Sequence, residues 1–146
     1  LSPGNKFFTY VDEEQKLIAT KSDSKSDLFD VVIFACRDIV RTEIPSKIKI
    51  IRSNSFSDCK HPENAKSPII LTEEGILICV IEESFANSSL ETISIPSSVE
   101  IIGESAFSFC EHLEKVEFEH DSKLSLLDKE TFIHSSIEKI SIKHIQ

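Results

Sequence analysis

The chain has 146 residues, 28 % of them charged and 40 % hydrophobic, with a formal net charge of −9 and a pI near 5.0. That length suits one domain. The acidity argues against non-specific nucleic-acid binding, which neutralises phosphates with Lys and Arg, and no apolar run approaches the roughly 20 residues of a spanning helix.

From the start, FFTYV (7–11) and KLIAT (16–20) read as two short strands joined by DEEQ, because Phe, Tyr, Val and Ile favour strands and the acidic run marks a turn. KSDSKSD (21–27) is a surface loop, and VVIFA (31–35) is a third, buried strand. The run IPSKIKIIRSNSFSDC (44–59) then recurs as IPSSVEIIGESAFSFC (95–110) at an offset of 51. FANSSLETISI (85–95) recurs as FIHSSIEKISI (132–142) at an offset of 47. HPENAKSP (61–68) is loop chemistry. LTEEGILIC (71–79) echoes VDEEQKLIA (11–19), so both read as the same inserted hairpin with an acidic tip. Leu1 and Gln146 both fall in mid-pattern and the chain holds no Met, so a fragment or processed piece is expected.

A chain that repeats itself is built by stacking. Leu90, Ile93 and Ile95 correspond to Leu113, Val116 and Phe118, and then to Ile137, Ile140 and Ile142. The steps of 23 and 24 residues, with an L-x-x-I-x-I core, fall in the leucine-rich-repeat range. The expected units are 1–38 (hairpin insert and buried strand), 39–65, 66–89 (with the second insert), 90–112, 113–136 and the partial 137–146. Within each strand, 93 and 95 should face inward and Thr92 and Ser94 outward. Pro96 ends the strand, Val99 and Ile102 return to the core, and 106–110 makes a short helical or 3₁₀ turn. Phe56, Phe85, Phe107 and Phe132 should form a column, with Cys59, Ser88, Cys110 and Ser135 where the wall is tight. Gly103 aligns with Arg52, Ile81 and Asp128, so positive φ is not expected at every copy.

Most of the reactive-looking residues have a plainer reading. Cys36, Cys59, Cys79 and Cys110 follow the repeat, not a disulfide or zinc spacing. Cys59-x-His61 and Cys110-x-His112 stand at equivalent places, but a whole unit separates them and no further ligand cluster joins them. Glu13–Glu14, Glu73–Glu74 and Glu82–Glu83 lack the spacing of a calcium loop and read as solvated turns. No nucleophile set and no phosphate-cradling glycine loop emerges, so no enzyme, cofactor or metal is expected. Asn87-Ser88-Ser89 fits the N-glycosylation acceptor pattern, although His134 holds the equivalent place in its twin.

The run Leu90–Cys110 resembles the BspA-like branch of leucine-rich repeats, whose pattern is roughly L-x-x-I-x-I-P-x-x-V-x-x-I-G-x-x-A-F-x-x-C. Ile39–Cys59 is a second copy, with Thr42 for the central Ile and Arg52 for Gly; 113–135 and 137–142 are looser copies. Such proteins are abundant as surface antigens of some anaerobic bacteria and parasitic protists, and the chain looks most like the trichomonad members. The resemblance implies an α/β leucine-rich-repeat solenoid, right-handed and mostly β, with four to five repeats and two inserted hairpins. It also implies adhesion or protein recognition at a cell surface, and no catalytic residues. An intracellular scaffold packed into a cytoskeletal or other assembly is the alternative, and repeat ends admit end-to-end packing with like repeats. The outward strand positions Arg41/Glu43, Thr92/Ser94, Lys115/Glu117 and Lys139/Ser141 are the candidate partner-facing strip, with a basic first column in an acidic molecule. The plainer reading of that column is a charge ladder balanced by its Glu neighbours.

Overall fold

The computed structural model describes residues 1, 5–39, 42–59, 69–71 and 77–142. Successive turns have two opposite limbs, one carrying a two-stranded and a three-stranded sheet and the other contributing to a seven-stranded sheet. One limb gives β4 (Thr42–Ile44) beside β6 (Ile69–Leu71), and then β8 (Thr92–Ile95), β10 (Lys115–Phe118) and β12 (Lys139–Ile142) in parallel register. The returning limb gives β3 (Val31–Ala35), β5 (Ile50–Ile51), β7 (Cys79–Val80), β9 (Ile101–Ile102) and β11 (Leu126–Leu127), again all parallel. The returning strands are only two residues long after β3, but pairing them with the next turn satisfies backbone groups that a lone turn would leave open.

The turns meet over one continuous apolar core. Ile44, Leu71, Ile95 and Phe118 fill one inward column, Ile48, Leu77 and Val99 a second, and Ile51, Val80 and Ile102 a third. The phenylalanine column is present: ring centroids lie 5.0 Å apart for Phe56–Phe85, 5.2 Å for Phe85–Phe107 and 5.5 Å for Phe107–Phe132, with planes within 16° of parallel. Each wedge is also tied through its backbone to the next turn: Phe56 N–H donates to Ser84 O, Phe85 N–H to Ala106 O and Phe107 N–H to Thr131 O, at 2.8–2.9 Å. Residues just before the wedge carry buried hydroxyls that donate back to the wall, Ser55 to Val32 O at 3.1 Å and Thr131 to Gly103 O at 3.3 Å.

The short helical or 3₁₀ turn expected after the returning strand is a correction: the described residues contain no helix. Two tight turns run in succession instead. In Ile81–Ser84 and Phe85–Ser88 the fourth N–H returns to the first C=O, and the third residues, Glu83 and Asn87, have φ of 52° and 55°. A helix cannot pass through a left-handed residue, whereas such turns require one at the third place. Asn54, Asp58, Ser105, Phe109 and His134 repeat this at equivalent positions. Gly103 opens its turn and has no positive φ. It is small because a Cβ there would meet Glu82 N at 2.9 Å.

The first inserted hairpin is β1 (Thr9–Tyr10) against β2 (Leu17–Thr20), antiparallel, and β2 pairs antiparallel with β3. Asp12 closes its tip by accepting from Lys16 N–H and Leu17 N–H at 3.0 and 2.6 Å. Leu17 and Ala19 are fully buried, so the hairpin lids this end of the core. The second hairpin is a correction. Leu71 and Cys79 lie in different sheets, Leu71 beside Ile44 and Cys79 beside Ile50. Its two ends therefore belong to opposite limbs; Glu73–Glu74 between them lie outside the described residues, as does HPENAKSP. Within β3 the buried strand holds for Val31, Val32 and Ala35, but Phe34 is exposed, with Arg37 over its ring at 5.3 Å.

Asp30, only 2 % exposed, locks the lid loop to the next turn. Its carboxylate accepts from Ser22 N–H at 2.8 Å and Ser22 Oγ at 2.7 Å and pairs with Lys49 Nζ at 3.0 Å. Burial alone would push its pKa up, but the Ser22 and Lys49 bonds outweigh that and hold it below its ordinary value of 3.8.

Phe107→Ala is expected to cost about 3–5 kcal/mol, measured by urea unfolding; a near-neutral change would show that the stacked column is not a main support. Asp30 contributes stability that is present above its ordinary 3.8 and is lost as pH falls through its lowered folded value. Asp30→Asn should therefore cost about 1–3 kcal/mol at pH 7, with the gap to the parent narrowing at pH 3. A gap independent of pH would sink this account.

Candidate recognition face

The parallel register of β8, β10 and β12 determines which side chains share a row. Thr92, Lys115 and Lys139 stand side by side, and Ser94, Glu117 and Ser141 form the next row. Alternation sends Ile93, Ile95, Val116 and Phe118 inward, where they are buried, and leaves these six on the other face. The face is partly organised by its own charges. Lys115 Nζ lies 2.8 Å from Glu117 Oε1 on the same strand, and Ser94 Oγ donates to Glu119 Oε1 at 2.7 Å. Lys139 is exposed and has no carboxylate within ion-pair distance among the described residues. Ser141 Oγ is covered yet makes no hydrogen bond among the described residues.

Glu43 lies on β4, paired in register with Ile70 of β6, and Arg41 lies outside the described residues. The strip is therefore interrupted: β6 stands between Glu43 and the six residues of β8–β12, a strand concealed when Leu71 is assigned to a hairpin. The signal for β6 is Leu77, three residues before Val80, as Ile48 precedes Ile51 and Val99 precedes Ile102. Glu43 instead borders an open groove of about 520 Å³ with Asp12, Glu13, Glu14 and Pro45. Glu119 belongs to the face and has no marker in the repeat pattern.

The remaining candidates fall elsewhere. Cys110 Sγ sits in the wall, 3.2 Å from Phe85 O and 3.4 Å from Ser88 Oγ. Burial raises the Cys59 thiol pKa although Arg37 opposes it, and burial together with Glu100 raises that of Cys79. Both thiols are thereby kept from the thiolate form that nucleophilic or metal chemistry uses. His61 lies outside the described residues. Asn87 is exposed at a turn on a different edge of the molecule from the strand face, and its Nδ2 donates to Asp58 Oδ1 at 2.5 Å.

The stacked parallel turns, their phenylalanine column and their repeated corners agree with the pattern of the BspA type leucine rich repeat region, which matches residues 29–146 in six copies. The chain belongs to the BspA-type leucine-rich-repeat family. The match counts six copies, against the four to five expected from the sequence. No curated protein matches the sequence. Two solved structures are similar to this BspA-type repeat chain. A leucine-rich cell surface protein from Faecalibacterium prausnitzii is 19 % identical with a TM-score of 0.56, over 95 % of this chain and 40 % of that one. The pneumococcal vaccine antigen PcpA is 17 % identical with a TM-score of 0.50, over 95 % of this chain and 51 % of that one. At such identities the likeness is one of fold, and this chain spans about half the length of those structures or less.

Proposed function

We propose that the chain is a non-enzymatic recognition or adhesion module of a BspA-like surface protein, and that it binds partner protein through the β8–β10–β12 face. The observation that carries this reading is the face itself: two in-register rows of polar and charged side chains on a rigid parallel sheet. Repeat scaffolds present extended surfaces of this kind for binding. The similar structures carry the names of a cell surface protein and a vaccine antigen, which supports a surface location. No helix among the described residues is long and apolar enough to cross a membrane. In a chain with a net charge of −9, Lys139, which has no ion pair among the described residues, is the local positive feature beside the Lys115–Glu117 pair. It favours a partner patch bearing carboxylates, since opposed potentials steer encounter and fix register.

Beads bearing the chain should adhere to cultured epithelial cells or to immobilised matrix protein. Lys115→Glu with Lys139→Glu should reduce that adhesion about tenfold or more while leaving the unfolding midpoint unchanged; unchanged adhesion by the folded double variant would remove this face.

A further inference from the structure

The chain's turn edge carries a second feature, separate from the strand face. Among the asparagines only Asn87 opens an N-x-S/T triplet. It is exposed, at the left-handed third place of its turn, where φ is 55°. Phe109 holds the equivalent place in the next turn, with φ of 54°, and its ring is 51 % exposed although every wedge phenylalanine points inward or is partly covered. His134, equivalent again, stacks on Phe109 at 4.7 Å between centroids. All three residues of the triplet, Asn87, Ser88 and Ser89, line a surface hollow of about 150 Å³ together with Phe109, Glu111 and His112. The register of the two turns is fixed by Asn87 N–H donating to Ser108 O at 2.8 Å.

We propose that Asn87 is an N-glycosylation site and that Phe109 seats the first sugar of its glycan. The inference rests on the surface reading, because the modification requires the secretory route. In the step, Nδ2 of Asn87 attacks the anomeric carbon of an oligosaccharyl-diphospho-lipid. The N–C bond forms, the carbon–oxygen bond to the diphosphate breaks with its electron pair leaving on the lipid diphosphate, and Nδ2 gives up one proton. Nδ2 keeps its other hydrogen. The hollow lies beside the attachment point, since all three triplet residues line it. Its Phe109 side offers an apolar surface for the sugar's C–H face, while Glu111 and His112 border it with polar atoms. An exposed aromatic that contributes nothing to the core thereby acquires a role, and the glycan leaves the β8–β10–β12 face clear.

The test supplies a secretory leader to the chain in a glycosylating eukaryotic host and reads intact mass before and after peptide-N-glycosidase F. The expected result is an oligosaccharide mass that the enzyme removes, leaving Asp at 87, and that is missing in both Asn87→Gln and Ser89→Ala. Trimming to a single N-acetylglucosamine should then leave a Tm about 2–4 °C above the unglycosylated chain with Asn87 intact, made in a non-glycosylating bacterial host, a difference lost in Phe109→Ala. If secretion is poor, the microsome-retained chain gives the same mass readout. A chain that passes this route unmodified overturns the site, and a single-sugar form no more stable than the unglycosylated Asn87 chain overturns the role of Phe109. Because the leader is supplied, either failure leaves the surface reading standing; that reading is tested separately by where the endogenous protein resides.

Discussion

The stacking of one turn upon the next is the constraint from which the rest of this molecule follows. Phe56, Phe85, Phe107 and Phe132 lie ring on ring at 5.0–5.5 Å, and the N–H groups of the first three bond to the following turn. No turn closes its own apolar edge, so each depends on its neighbour. The ring spacing matches the strand spacing of the sheets, so the wedges stack where the strands pair. Side-chain packing and backbone pairing therefore enforce the same register, which is the consistency expected of a sequence that specifies one fold.

That register decides what the surface can present. With Ile93, Ile95, Val116 and Phe118 committed to the core, the alternate residues are displayed in rows whose spacing does not depend on their own chemistry. Lys115 and Lys139 are consequently held side by side despite their like charge, a juxtaposition a sheet disfavours; Glu117, 2.8 Å from Lys115, offsets part of it. The scaffold tolerates such pairs because the wall supplies its stability, and this frees the face to vary for recognition.

Much of the fold was legible because the repeat is strict where the packing is tight. The phenylalanine column, the inward pairs at 93 and 95 and the first hairpin could all be read from spacing. Two features could not. The LTEEGILIC segment resembles the true hairpin in its acids and apolar residues, and only the pairing of Leu71 beside Ile44 and Cys79 beside Ile50 reveals that its halves serve different sheets. The corner at Gly103–Cys110 has helix-compatible residues, yet Ser105 and Phe109 are left-handed because the succeeding turn needs its carbonyl and amide groups on the ladder. Six of the eight strip residues share one face, Glu43 lies beyond β6, and Glu119 joined them through a bond to Ser94 that no periodicity marks.

By itself the sequence determined the family, the stacked architecture and the inward columns, because a period of apolar residues is a local pattern that each copy restates. Only the tertiary structure decided that the returning limbs form a sheet of their own, that Leu17 and Ala19 of the first hairpin close onto the core, and that Asn87 and Phe109 border one hollow. Those relations join residues in different turns or different sheets. They depend on which backbone groups find partners and on which neighbour covers a side chain, and neither is encoded within a single repeat.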